Sequence, residues 1–498
     1  MANLYTFGNQ TGTPGQPAIV EIAGPLSGFG EVETVFPTPT SQAAFVYGVQ
    51  PLLVETLAYS TGAAVATAAG EVVVSSGTDA ASYARVTGRQ VTKYRAGQGT
   101  LGRWTARFSA GVAGNRQTAG LSNQEAGYLV GYNGDTFGLF YVRSGTIEIQ
   151  TLTVTGAPAA PGNVSITLAG GPAVSVAVTA SGSTAVTAYE ISRANYSQAS
   201  GGWIAAAVGS VVYFRRRLVG PAAASTFAPG ATGTAAAFAI LTPGVAAVEF
   251  FTPRSAWNGT VPTGFDPTRG NVYGIQFQYL GYGDAFLYVE DGTTGRLVLA
   301  HTVANANTLT GGTVLRNPNL YLLWESRNVG GVSSVQVAGA SGGTFIEGVL
   351  GPTGTQFATT GSKTAGAGVE TPILTLRAGL VFLGRASMGQ IQVDRISVAT
   401  DGTKSVRIRA YKGSTLTAAR FQSVNAAVSV AESDTAATVF AAAPGVEVFA
   451  FTVGKVANAS ENLLGLGIFL QAGEYLTITA TSVNASDVDV ALAWIEDV

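Results

Sequence analysis

Cysteine is absent from all 498 residues, and histidine occurs once, as His301. The first absence removes disulfides, thiolate metal sites and cysteine nucleophiles together. The second removes the usual zinc constellations and leaves His301 as the sole base for any Ser-His-Asp arrangement. Charge is scarce: 27 Lys and Arg and 29 Asp and Glu make 11% of the chain, against about 25% in ordinary soluble domains. Long apolar runs are missing too. The most apolar window, Leu463–Leu470, contains Gly465 and Gly467 and is far too short to span a bilayer, so no membrane insertion is expected. The opening residues Met1-Ala2-Asn3-Leu4-Tyr5 show neither the basic nor the apolar region of a signal peptide. The net charge of -2 argues against nucleic acid as a partner. The one dense basic run, Arg215-Arg216-Arg217, reads as a strand end or loop at a subunit contact, because nucleic-acid binding needs a wider basic face.

What is present sharpens the problem. Hydrophobic residues are 46% of the chain, and the mean hydropathy is +0.29. So little charge leaves a lone monomer's surface poorly solvated. Burial of that surface against other subunits resolves the conflict, and the chain reads first as a part of an assembly.

Gly (65 residues), Ala, Val, Thr and Ser dominate. Short alternating apolar runs bounded by Gly, Asn-Gly or Asp-Gly recur throughout, which predicts an all-β chain. Asn133-Gly134 predicts a hairpin between Tyr128–Tyr132 and Phe137–Val142. Asp291-Gly292 and Asp401-Gly402 predict two more, since Asp-Gly supplies the positive φ of a tight turn. The predicted fold is tandem β-sandwich domains, jelly-roll or concanavalin-like, with an extended N-terminal arm. The boundaries expected are an arm over 1–85, a large sandwich from 86–154 plus 248–350, a small inserted β domain over 155–247, a linker over 351–369 and a C-terminal sandwich over 370–498.

Catalytic signals are thin. Glycoside hydrolysis needs two carboxylates about 5–9 Å apart across a sugar. Glu290 and Asp291 are adjacent, so a strand would turn them to opposite faces; Asp487 and Asp489 would share one. A solvated strand is the plainer reading of that second pair, and a strand-end histidine bonded to backbone is the plainer reading of His301. Trp203, Trp257, Tyr279 and Tyr282 are the candidates for a glycan-stacking platform, although large aromatics in β proteins more often anchor cores. Asp284, Asp291 and Asp401 are too scattered for the six or more oxygens of a calcium site. The loop Arg95–Gly99 lacks the strand-to-helix setting of a phosphate cradle. No cofactor, metal or catalytic residue is expected.

Several segments together carry a resemblance. They are Tyr94-Arg95-Ala96-Gly97-Gln98-Gly99, the strand Trp104–Phe108, Gln117–Leu121, Glu125–Tyr128 and Gly131–Gly138, followed by Ala256–Gly259, Phe265–Pro267 and Val272–Gly283. In this pattern the chain resembles structural proteins of tailed bacteriophages and large DNA viruses. It departs at Tyr279, where the pattern usually carries Trp, and between Gly259 and Phe265, where it usually carries more acid. The resemblance implies a virion component, of the tail-fibre, head-fibre or baseplate-appendage type, assembled in the host cytoplasm. It implies a homo-oligomer, a trimer as fibre parts commonly are, joined to other virion proteins through the N-terminal arm. Alternative functions are an adhesin for host surface polysaccharide and, further off, a polysaccharide depolymerase.

Overall fold

A computed structural model describes residues 4–7, 18–21, 37–60, 62–199, 201–348 and 354–497. Strands account for nearly all regular structure, and one nine-residue helix, Thr184–Ser192, is present. No helix among the described residues is long and apolar enough to cross a membrane. The architecture is all-β and antiparallel, and the packing divides the chain into two compact units: residues 1–145 with 247–351, and residues 146–246 with 352–498.

The first unit is a sandwich. In one sheet the ladder runs from the first half of Thr136–Gly156 through Gly127–Asn133, Asn115–Ser122, Tyr321–Asn328 and Tyr83–Gly88 to Val54–Tyr59. The other centres on Thr100–Phe108, which pairs with Asn271–Phe277 and Ser341–Glu347. Alternation decides which side chains enter the core. Trp104, Ala106 and Phe108 point inward while Arg103 and Arg107 face solvent. Trp324, from the opposite sheet, is fully buried, meets the Phe45 ring edge-on at 5.4 Å and donates from Nε1 to the Thr105 carbonyl at 2.9 Å. That bond ties one sheet to the other. It also requires glycine at 339, because a Cβ there would lie 2.3 Å from the indole nitrogen.

In the second unit, a five-stranded sheet contains Thr355–Ala365, Ser486–Asp497, Gln390–Thr400 and Ala457–Asn462 in that order. A six-stranded sheet has Thr371–Ala378 and Tyr475–Ser482 at its centre. Between them lies a core built on Trp494 and the aliphatic residues of both sheets. A second core gathers Tyr189, Tyr196, Trp203 and Phe214 from residues 146–246 with Leu416, Ala419 and Phe421. The helix packs here, and its Ser183 hydroxyl caps it by accepting from the Val186 N–H.

Four expectations change. Residues 37–85 are not an arm. Pro37–Ala44 pairs with Ser341–Glu347, Val54–Tyr59 with Tyr83–Gly88, and Glu71–Ser75 with Gln336–Gly339. Val72 and Val74 are wholly buried, and that apolar burial draws the segment into the sandwich. Leu4–Phe7 pairs with Ala18–Glu21, and the rest of the expected arm lies outside the described residues. The expected linker contains an eleven-residue strand, Thr355–Ala365, paired along its length with Ser486–Asp497. Thr360, Ser362 and Thr364 read as linker because they occupy the solvent face, while Phe357, Gly361 and Ala365 face the core side. The 155–247 segment does not stand alone, since it shares a core with residues 416–437. Finally, Asn133-Gly134 forms the hairpin expected of it, whereas Asp401-Gly402 does not. The strands flanking Asp401-Gly402 lie in different sheets. Gly402 is needed for close approach instead, as a Cβ would lie 1.9 Å from the Ser486 hydroxyl.

Trp324→Ala should cost about 3–5 kcal/mol, read as a lower denaturant midpoint for the first unit. A loss below about 1 kcal/mol would show that the inter-sheet tie is dispensable.

Candidate functional site

The second unit holds a half-open cavity of about 260 Å³. Tyr213 enters its wall from the strand Val211–Val219, Glu432 from Ala431–Asp434, and Leu380, Phe382 and Leu383 from the tight hairpin over 380–386. Glu432 is buried and accepts from Arg377 Nε at 2.5 Å. Arg377 in turn donates from Nη2 to the Ala207 carbonyl at 2.5 Å and lies 3.8 Å over the Phe421 ring. Burial pushes the Glu432 carboxyl up, against the opposing pull of Arg377. Burial, then the neighbouring Glu432, pushes the Tyr213 hydroxyl up as well. A second buried carboxylate, Glu496, accepts from Ser429 Oγ at 2.6 Å, the Val430 N–H at 2.9 Å and Trp494 Nε1 at 2.7 Å. Its bonding capacity is used in tying residues 429–430 to the strand Ser486–Asp497. The cavity wall thus offers one ion-paired carboxylate, a phenol and apolar surface. No sequence signal marks Arg377 or Glu432. Each sits in a short strand among residues of every type, and only the packing pairs them.

The first unit holds a comparable polar network. Glu325 accepts from Tyr83 OH at 2.6 Å and from Gln124 Nε2 at 3.3 Å, and Arg327 Nε lies 3.5 Å from its other oxygen. Burial raises the Glu325 carboxyl, but Arg327 and Arg116 outweigh it and hold the group below its ordinary value. Arg116 Nη1 bonds both oxygens of Glu249, at 2.7 and 2.8 Å, and its guanidinium lies 4.0 Å over the Phe140 ring.

The four aromatics proposed for glycan stacking do not form a platform. Trp203 is 1% exposed, inside the second unit. Trp257, 9% exposed, packs against Phe137 in the first unit's core and donates from Nε1 to the Thr252 carbonyl. Tyr279 is partly buried, donates to the Leu315 carbonyl at 2.8 Å and meets the Tyr94 ring at 4.9 Å. Only Tyr282, 53% exposed, presents its ring to solvent. The large apolar area of the two tryptophans is worth more buried than displayed.

The remaining candidates resolve individually. His301 Nδ1 accepts from the Asn258 N–H at 3.3 Å, the strand-and-backbone role expected. Asp487 and Asp489 do share the exposed face of Ser486–Asp497, but that strand is paired on both sides rather than lying at an edge. Asp291 ends its strand and accepts from the Thr293 N–H and the Thr294 hydroxyl, and Asp284 accepts from the N–H groups of Asn305 and Ala306. Both order loops. Asp401 accepts from the Asp487 N–H. Among the described residues no group of three His, Cys, Asp or Glu is placed to hold a metal. The Arg95–Gly99 loop packs Gly99 against the Glu347 carboxylate, where a Cβ would lie 2.3 Å from it, and a carboxylate there repels an anion. Arg215 and Arg216 cap carbonyls of Ser387, Gly220 and Pro221.

No protein-family model matches the chain, and no curated protein does. Several solved structures align with it. One, described under "Prominent members of the human gut microbiota express endo-acting O-glycanases to initiate mucin breakdown", is 11% identical at a TM-score of 0.24, covering 63% of this chain and 99% of its own. The lectin UEA-II, solved with galactose, is 10% identical at 0.22, covering 62% and 100%. The STIV MCP is 8% identical at 0.17, covering 91% and 96%. At such scores these alignments do not carry an argument about function.

Arg377→Met should destabilise by about 3–5 kcal/mol, because it leaves a buried carboxylate unpaired, and adding Glu432→Leu should recover most of that loss. Failure of the double variant to recover would show that the pair acts through more than mutual compensation. A second expectation concerns pH. Burial holds the His301 imidazole below its ordinary value of 6.5, so as pH falls the unfolded chain takes up the proton first. The stability it contributes is complete above that value and is lost as pH falls through it toward the lower folded value. Unfolding midpoints from pH 7.5 to 5 should fall more steeply for the wild type than for His301→Asn; parallel curves would contradict this.

Proposed function

We propose that this chain is a structural protein of a virus particle, a fibre or appendage component that works as a homo-oligomer in assembly and host attachment. The observation that carries the reading is apolar surface left open on a chain with little charge. Between Pro37–Ala44 and Val54–Tyr59 the connecting loop exposes Val46 (69%), Tyr47 (98%), Leu52 (47%) and Leu53 (49%). A monomer in water gains nothing from such a loop, whereas clustered apolar surface of this kind suits a protein contact. The resemblance of Tyr94–Gly138 and Ala256–Gly283 to phage structural proteins points to the same reading. So does the use of the chain's carboxylates as structural anchors, as at Glu325 and Glu496.

Sedimentation velocity on the purified chain tests the oligomer, with a trimer or a multiple of a trimer expected. Antibody labelling of intact particles from an infected host tests the location. A stable, soluble monomer at high concentration, or particles that carry none of this chain, would overturn the reading.

A further inference from the structure

We propose that the strand Ala235–Thr242 is an open sheet edge through which two copies of this chain pair, each adding its strand antiparallel to the other's. The inference rests on the homo-oligomer reading above and names one contact within it. On one side the strand is laddered to residues 149–156, with Ala239 opposite Thr151 and Ala237 opposite Thr153. Among the described residues no ladder occupies its other side. Backbone N–H and C=O groups along that side therefore present the template that another strand completes.

Natural edges are commonly guarded by charge, by proline, by a bulge or by shortness. This one has little of that protection. It is eight residues long. No charged residue lies between Arg217 and Glu249 in the sequence. Pro243 follows the strand rather than interrupting it, and the register shifts fall only at its two ends, leaving Ala236–Ile240 regular. Ala235, Ala237 and Ala239 are exposed on one face, while Ala236 and Phe238 turn toward the unit's core. Beside the alanines, Ile240 (55% exposed) extends the apolar surface, whereas at the strand's end Leu241 lines the cavity against the 380–386 hairpin and the Thr242 hydroxyl donates to the Gly384 carbonyl, so the open edge is residues 235–240.

The occupant that fits is a second copy. An edge without charge offers nothing to select or steer a charged partner, while its own counterpart brings an equally neutral strand with alanine at alternate positions. Two-fold pairing is self-complementary. Registers that keep the alanine face outward and centre the contact place Ala239 opposite Ala237 or Ala239 of the second copy, and alanine at these positions lets the backbones meet without side-chain obstruction. The contact is two-fold, so it is additional to any three-fold contact and joins oligomers in pairs.

Ala239→Lys and Ala239→Glu test this, each by sedimentation velocity and by circular dichroism as a check on folding. Because Ala239 is exposed, both variants should keep the wild-type spectrum. The assembled mass should halve for each alone and return to the wild-type value when the two are mixed in equal amounts. An unchanged mass in the Lys variant, or no recovery on mixing, would overturn the edge contact. A wild-type trimer that never doubles would overturn it while leaving the structural reading standing; a wild-type monomer would overturn both.

Discussion

A strand buried on both faces has no solvent side on which to place its polar residues, and much of this structure follows from that constraint. Asn115–Ser122 is buried at every position. Its Ala119 and Leu121 enter the sandwich core, so Arg116 and Ser122 on the other face take partners inside the protein, while the Thr118 hydroxyl is buried without one among the described residues. Arg116 finds Glu249 and the Phe140 ring, and the neighbouring strand supplies Glu325 with Tyr83, Gln124 and Arg327. In the second unit, Thr371–Ala378 is buried at all but one position. The consequence there is Arg377, paired with Glu432 and stacked on Phe421.

This changes the meaning of the low charge count. With few ionisable residues, one expects them at the surface, where they do most for solubility. Several are instead inside: Arg85, Arg116, Glu325, Arg377, Glu432 and Glu496 are all buried. Buried ion pairs are a weak source of net stability, but each fixes the relative position of the segments it joins. What remains outside is a surface with less charge than the composition suggests, broken by apolar loops and by an unguarded strand edge. A surface of that kind is poorly suited to a free monomer and well suited to one that ends its assembly packed among copies.

Parts of this were legible in the chain. The alternation of Trp104, Ala106 and Phe108 with Arg103 and Arg107, and the Asn133-Gly134 hairpin, depend on local rules that operate within a few residues. The same local rules fail at Asp401-Gly402. Alternating runs on either side of a turn look identical whether the strands pair with each other or pass into opposite sheets. Thr355–Ala365 was hidden by composition, because threonine and serine on the outer face of a sheet resemble a linker when their buried neighbours are glycine and alanine. The aromatic platform failed because sequence shows which residues are able to stack on a ligand and not which face of a sheet they occupy.

The sequence by itself determined the class of structure: antiparallel β-sheet without disulfides, thiolate sites or a long apolar helix. These properties depend on residue type and on spacing along the chain. Only the tertiary structure decided that residues 37–85 belong to the first sandwich, that residues 146–246 share a core with the C-terminal strands, and that Arg377 meets Glu432. Each of these joins residues far apart in the chain. Such contacts are selected by which burial leaves the fewest unpaired polar groups, and that balance is set only once the sheets have closed on one another.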